Sequence, residues 1–167
     1  MESPVTVEAA DPDAPESRTL MAELSDALER MTGRSGVSGF RAADVQVPRA
    51  VFVVARDAAG TAVGCGALRP LQDGVAEVKR MYARPGTRGV GSAVLRSLES
   101  AARGWGYAAI WLETGDVNAR GIAFYARHGY VRIPNFGRYA GRTDAVCLGK
   151  ALAADAVLPA APPSVPG

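Results

Sequence analysis

At 167 residues the chain fits one domain, and 48% apolar with 22% charged residues is enough for a single core under a polar surface. Nineteen Lys and Arg against 17 Asp and Glu leave a formal charge of +2, which is no global footprint for nucleic acid. Two cysteines, Cys65 and Cys147, and the single histidine, His128, exclude a disulfide framework and offer no metal-ligand spacing.

The opening "MESPVTVEAADPDAPES" has neither the basic stretch nor the apolar run of a targeting segment, and nowhere do about 18 apolar residues follow one another, so the expectation is a soluble cytoplasmic protein. "PVTVEAA" alternates like a short strand. "DPDAPES" then offers capping and turn residues, and Leu20, Leu24, Leu28 and Met31 recur at helical spacing up to Gly33. From Gly33 to Val47 periodicity is poor, and the stretch reads as a loop or broken helix bordering a substrate site.

"AVFVVARD", "AVGCGALRPL" and "VAEVKRMYA" are three apolar runs parted by the short turns "AAGT" and "QDG", the pattern of consecutive antiparallel hairpin strands. "RPGTRGVGSAVLRSL" follows, a glycine turn running into a helix with Val90, Val94, Leu95 and Leu98 on one face and a stop at Gly104 and Gly106. "AAIWLET" is a further strand. "NARGIAFYARHG" is a short helix with Asn118 as its cap and Gly129 as its stop. "YVRI" and "DAVCLGKAL" form a closing pair of strands around the loop "PNFGRYAGRT". The Pro- and Ala-rich tail, residues 153–167, is expected to be disordered, leaving one domain over residues 1–152. The order is that of an α/β layer fold around one mixed sheet, not of a doubly wound dinucleotide fold, because a meander precedes the glycine turn.

A helix N-terminus carries unpartnered N–H groups and partial positive charge, so a glycine turn entering it suits an anion. Lys79, Arg80, Arg84 and Arg88 cluster beside it. In this setting "EVKRMYARPGTRGVGSAVLRSLE", then "WLETG", then "NARGIAFYARHGYVRIPNFGRY" resembles the GNAT superfamily of acyl-CoA-dependent N-acetyltransferases. The resemblance runs from about Val51 to Leu152 and implies a GNAT-like fold, a central, mainly antiparallel mixed sheet of six to seven strands flanked by helices.

It further implies acetyl-CoA as cosubstrate, its diphosphate on the turn formed by Arg88, Gly89, Val90, Gly91, Ser92 and Ala93. The main chain of Met81, Tyr82 and Ala83 would take the pantetheine arm, Asn118 would reach that arm, and Tyr125 would protonate the departing thiolate. "RGVGSA" satisfies the family's Arg/Gln-x-x-Gly-x-Gly/Ala pattern literally, yet the helix phase fits better with Gly89 and Gly91 as the final glycines. That second register puts Gly86 in the Arg/Gln place and makes the loop about two residues short; both registers stay open.

Acetyl transfer needs a carboxylate to take the amine's proton, and Glu77, then Glu113, are the candidates on neighbouring strands. The competing role for Glu77 is an ion pair with Lys79 on the same strand face. Tyr125 competes with a core position, Cys65 and Cys147 read as packed apolar residues, and His128 as a helix-terminal charge partner. Arg34, Arg41, Arg138 and Arg142 with Phe136 and Tyr139 would rim an acceptor pocket suited to an amine that also carries a carboxylate or phosphate. The expected function is therefore acetyl transfer to a small-molecule primary amine by direct attack in a ternary complex, by a monomer or homodimer acting on neither nucleic acid nor membrane. A non-catalytic acyl-CoA-binding protein is the alternative.

Overall fold

The computed structural model describes residues 4–160. In chain order it consists of β1 (Thr6–Ala9), α1 (Pro15–Thr32), β2 (Val51–Arg56), β3 (Ala62–Gln72), β4 (Val75–Ala83), α2 (Val90–Gly104), β5 (Ala109–Gly115), α3 (Ala119–Arg127), β6 (Val131–Ile133) and β7 (Ala145–Ala151). The expected elements form where the periodicity places them. Residues 33–47 contain two short 3₁₀ turns, Val37–Gly39 and Ala42–Val45, and a third turn, Gly137–Tyr139, lies between β6 and β7.

One seven-stranded sheet has the order β1-β2-β3-β4-β5-β7-β6. Every neighbouring pair is antiparallel except β4 and β5, whose connection runs through α2. This is the mixed, mainly antiparallel GNAT-like sheet that the sequence predicts.

Alternation along β2 shows how the two faces are filled. Val53 and Ala55 join the core under α2, whereas Phe52 and Val54 pack with Leu20 of α1 on the other face. α2 lies close on the sheet because β3 carries glycines beneath it. A Cβ on Gly64 would overlap Val90 Cγ1 and stand 2.8 Å from the Tyr82 carbonyl oxygen, and one on Gly66 would meet Val94 Cγ1 at 2.7 Å. Cys65 and Cys147 are fully buried strand residues, and burial pushes their thiols up to about 12 and about 11.

The start of α1 differs from expectation. No polar side chain of "DPDAPES" caps it: its N-cap is Ala14, Pro15 occupies the first turn, and the Ser17 hydroxyl instead donates to the Asp11 carbonyl at 2.7 Å. Of the tail, residues 161–167 lie outside the described residues. Residues 153–160 form neither helix nor strand, and Leu158 packs on the cluster of Ile133, Tyr139 and Cys147.

Candidate active site

The site begins as a failure of pairing. β4 and β5 run side by side for three registers only, Val75↔Ala109, Ala76↔Ile110 and Glu77↔Trp111, and then part. A bulge in β4 sits just beyond. Cys65 pairs with Tyr82 and Ala67 with Lys79, so Arg80 and Met81 together face Gly66 of β3. Arg80 has a φ of 55°, a left-handed conformation that costs a side-chain-bearing residue about 1–2 kcal/mol. Its guanidinium offsets that strain by donating to the Met21 carbonyl at 2.7 Å, the Ser25 hydroxyl at 2.6 Å and the Ser35 carbonyl at 3.3 Å. The parted strands enclose a cleft of about 720 Å³, roofed by the C-terminal half of α1.

On one lip, the main chain at Met81, Tyr82 and Ala83 has no strand partner on the β5 side among the described residues. Its free N–H and C=O groups are a place for an extended, amide-bearing chain to pair. Below it α2 starts at Val90, and Gly89 is its N-cap at φ 72° with no side chain closing the end. The first bond of the helix runs from Ala93 N–H to Gly89 O at 3.0 Å, so the N–H groups of Val90, Gly91 and Ser92 precede the ladder. Backbone conformation thus requires glycine at 89. Gly91 lines the cleft, where a Cβ would touch the Phe124 ring at 3.4 Å. Val90 itself is in the core. These are the two glycines of the shorter-loop register.

Arg88 is exposed and outside the cleft lining; Arg120 and Arg127 of α3, which the sequence reading passed over, line it instead. Ser92 Oγ lies 3.0 Å from His128 Nε2, and the His128 ring packs on Phe124 at 4.7 Å. His128 therefore braces the start of α2 from the end of α3, and burial lowers its pKa below the ordinary histidine value.

On the other lip Asn118 caps α3, its Oδ1 accepting from Gly121 N–H at 3.0 Å and its Nδ2 donating to Thr114 Oγ1 at 3.0 Å. One amide hydrogen is left over, and the residue lines the cleft. Tyr125, seven positions on and just 8% exposed, lines it too. Burial alone acts on its phenol and raises the pKa well above the usual tyrosine value, so the proton stays on.

The two candidate carboxylates are held differently. Glu77, 1% exposed, sits where β4 and β5 still pair, and is outside the cleft lining. Arg69, its cross-strand partner on β3, donates to Glu77 Oε1 from Nε at 3.0 Å and from Nη2 at 2.8 Å, while Lys79 is farther at 3.7 Å. Arg69 also pairs with Asp44 at 3.0 Å. Glu113 lies past the point of divergence and lines the cleft. Its Oε2 is buried without a hydrogen-bond partner among the described residues; Arg34 Nη2 approaches to 3.7 Å. Desolvation raises the Glu113 pKa above the ordinary carboxylate value against the pull of Arg34 and Lys79. Arg34 is shared with Asp144 at 3.3 Å, which also takes Arg142 at 3.1 Å.

Among the described residues no helix is long and apolar enough to cross a membrane, and no group of three or more His, Cys, Asp or Glu is placed to hold a metal ion.

Comparison with known proteins agrees with this geometry. The family model for the acetyltransferase (GNAT) family matches residues 17–130. An IAA acetyltransferase of Azospirillum brasilense is 43% identical over 91 residues, covering 53% of this chain and 59% of the relative. The chain spans a little over half the length of the curated relatives it matches. A solved Klebsiella pneumoniae protein assigned to the acyl-CoA N-acyltransferases superposes with a TM-score of 0.74 at 29% identity, over 89% of this chain and 97% of that one. An acetyltransferase-type protein of Salmonella typhimurium, solved with its cofactor acetyl-CoA, shares the fold with a TM-score of 0.68 at 18% identity, over 93% of this chain and 98% of that one.

Proposed function

The chain belongs to the acetyltransferase (GNAT) family, and from that premise we propose that it moves an acetyl group from acetyl-CoA to a primary amine of a small molecule by direct attack in a ternary complex. The observation that carries this reading is the slot between β4 and β5, with an uncapped helix start on one lip and the largely buried Tyr125 among the residues that line it. Acetyl-CoA supplies a thioester already activated for attack. The residues present suit such a molecule: the N–H groups of Val90, Gly91 and Ser92 for its diphosphate, and the unpaired main chain at 81–83 for its amide-bearing arm.

In this reading Glu113 takes the proton that the amine sheds. A carboxylate whose pKa is raised is the stronger base. Tyr125 donates its phenolic proton to the sulfur that leaves. Asn118 fixes the start of α3 and hence where Tyr125 stands, and has one donor left for the arm. Glu77 has a structural part, holding Arg69 below the cleft and standing 3.7 Å from Lys79.

The test is Tyr125→Phe, followed by calorimetry with acetyl-CoA and by turnover against an amine panel. Transfer is expected to fall about 10²–10⁴-fold while acetyl-CoA affinity is kept. Parent protein that binds acetyl-CoA and acetylates no amine would overturn the enzymatic reading in favour of an acyl-CoA-binding protein.

A further inference from the structure

The end of the cleft away from the glycine turn carries more positive charge than its own partners consume. Lys79, a floor residue whose side chain is 10% exposed, donates to the Tyr139 hydroxyl at 2.7 Å and stands 3.7 Å from Glu77. An ammonium has three donors, so one remains. Tyr139, as acceptor of the Lys79 bond, keeps its own O–H to give, and it lines the same cleft. Arg138 reaches across from the neighbouring turn and donates to Ser38 O at 3.0 Å and Ser38 Oγ at 3.2 Å, leaving further guanidinium donors free.

These groups converge on Gly39. A Cβ built there would lie 3.1 Å from Lys79 Nζ and 3.4 Å from Arg138 Nη1, so both cations close on Gly39 and a side chain at that position would crowd them. The two cations thus meet at one point of the cleft, where a single carboxylate or phosphate can accept from both. The negative charges beneath do not cancel them. Glu77 pairs with Arg69 and Lys79, and Asp44 with Arg69, whereas Arg138 has no carboxylate partner among the described residues. Glu113 lines the same cleft, its Oε2 buried without a hydrogen-bond donor among the described residues and Arg34 Nη2 at 3.7 Å.

We infer that Lys79, Arg138 and the Tyr139 hydroxyl clamp an acidic group of the acceptor, so that the substrate is an amine carrying a carboxylate or phosphate with its nitrogen turned toward Glu113. This rests on the acetyl-transfer reading and names the substrate class for it. Lys79 and Arg138 are specificity residues in this role, remote from the bond that breaks.

The experiment uses three matched sets: L-amino acids against their α-carboxamides, O-phosphoethanolamine against ethanolamine, and the parent against Arg138→Gln, Lys79→Met and Gly39→Ala. Each pair is measured for acetyl transfer and, with CoA present, for binding by calorimetry. Expected is a preference for one acidic series, the arm that responds telling carboxylate from phosphate. In Arg138→Gln the KM for the acid should rise about 10–100-fold, with kcat and the KM for acetyl-CoA little changed and the neutral analogue unaffected. Gly39→Ala should act in the same sense at unchanged thermal midpoint. Transfer that ignores the acidic group, or an acid-to-amide ratio untouched by Arg138→Gln, overturns the clamp and leaves acetyl transfer standing. Acid binding lost in Arg138→Gln without any transfer supports the clamp and overturns the enzyme. Neither binding nor transfer overturns both.

Discussion

Glu77→Gln separates the roles of the two strand carboxylates. The substitution keeps shape and removes a charge that is 1% exposed and bonded twice by Arg69. Breaking a buried pair by removing one partner costs about 3–5 kcal/mol. Here Arg69 is 24% exposed and keeps Asp44 at 3.0 Å, so the expected loss is smaller, roughly 2–4 kcal/mol. For a domain of this length that lowers the midpoint by roughly 5–15 °C. Differential scanning calorimetry measures it, and turnover is read well below the new midpoint, where the variant is folded. There kcat should stay within about threefold of the parent, since a group outside the cleft takes no proton from an amine. An unchanged midpoint together with a hundredfold fall in kcat at every pH would refute this reasoning and make Glu77 the base.

Glu113→Gln should behave in the opposite way, with turnover down about 10²–10³-fold and no loss of stability at neutral pH. The sign follows from the raised pKa: the folded state binds this proton more tightly than the unfolded chain, so the carboxylate's contribution worsens as pH climbs from 4.5 through the raised value. The variant's midpoint should therefore gain on the parent above that window and match it below, and the acid limb of the parent's kcat/KM profile should lie above the ordinary glutamate range, as thermal scans and rate profiles at several pH values would show. Gly64→Ala places a methyl against Val90 at the first turn of α2 and costs about 1–3 kcal/mol. A urea titration reads the loss, and weaker acetyl-CoA binding by calorimetry should accompany it because the displaced residue begins the helix.

Most elements of this fold are legible in the sequence because each has its own period and punctuation: the β2-β3-β4 meander in its short turns, α2 in Val90, Val94, Leu95 and Leu98, and α3 between Asn118 and Gly129. What joins them is less visible. Glu77 and Glu113 look alike on paper, each a carboxylate in an apolar strand, and only the register that ends at Glu77↔Trp111 separates one inside the sheet from one in the cleft. Lys79, two positions away, is the partner a strand pattern suggests for Glu77, yet Arg69 on the next strand is nearer. The left-handed Arg80 carries no local signal at all, since the groups that hold it come from residues 21, 25 and 35. Arg120 and Arg127 were hidden by being ordinary polar positions on a short amphipathic helix.

The parting of β4 from β5 has a consequence for how such a protein changes over generations. The width of the slot is set by main-chain geometry, by the three paired registers below it and the bulge at Arg80 and Met81, more than by the other side chains along its walls. Replacements at positions 34, 138 and 142 can then change their end of the cleft without disturbing the turn at 89–91 or the strand edge at 81–83. Novelty on one side of the molecule and inheritance on the other are separated by a single pair of diverging strands.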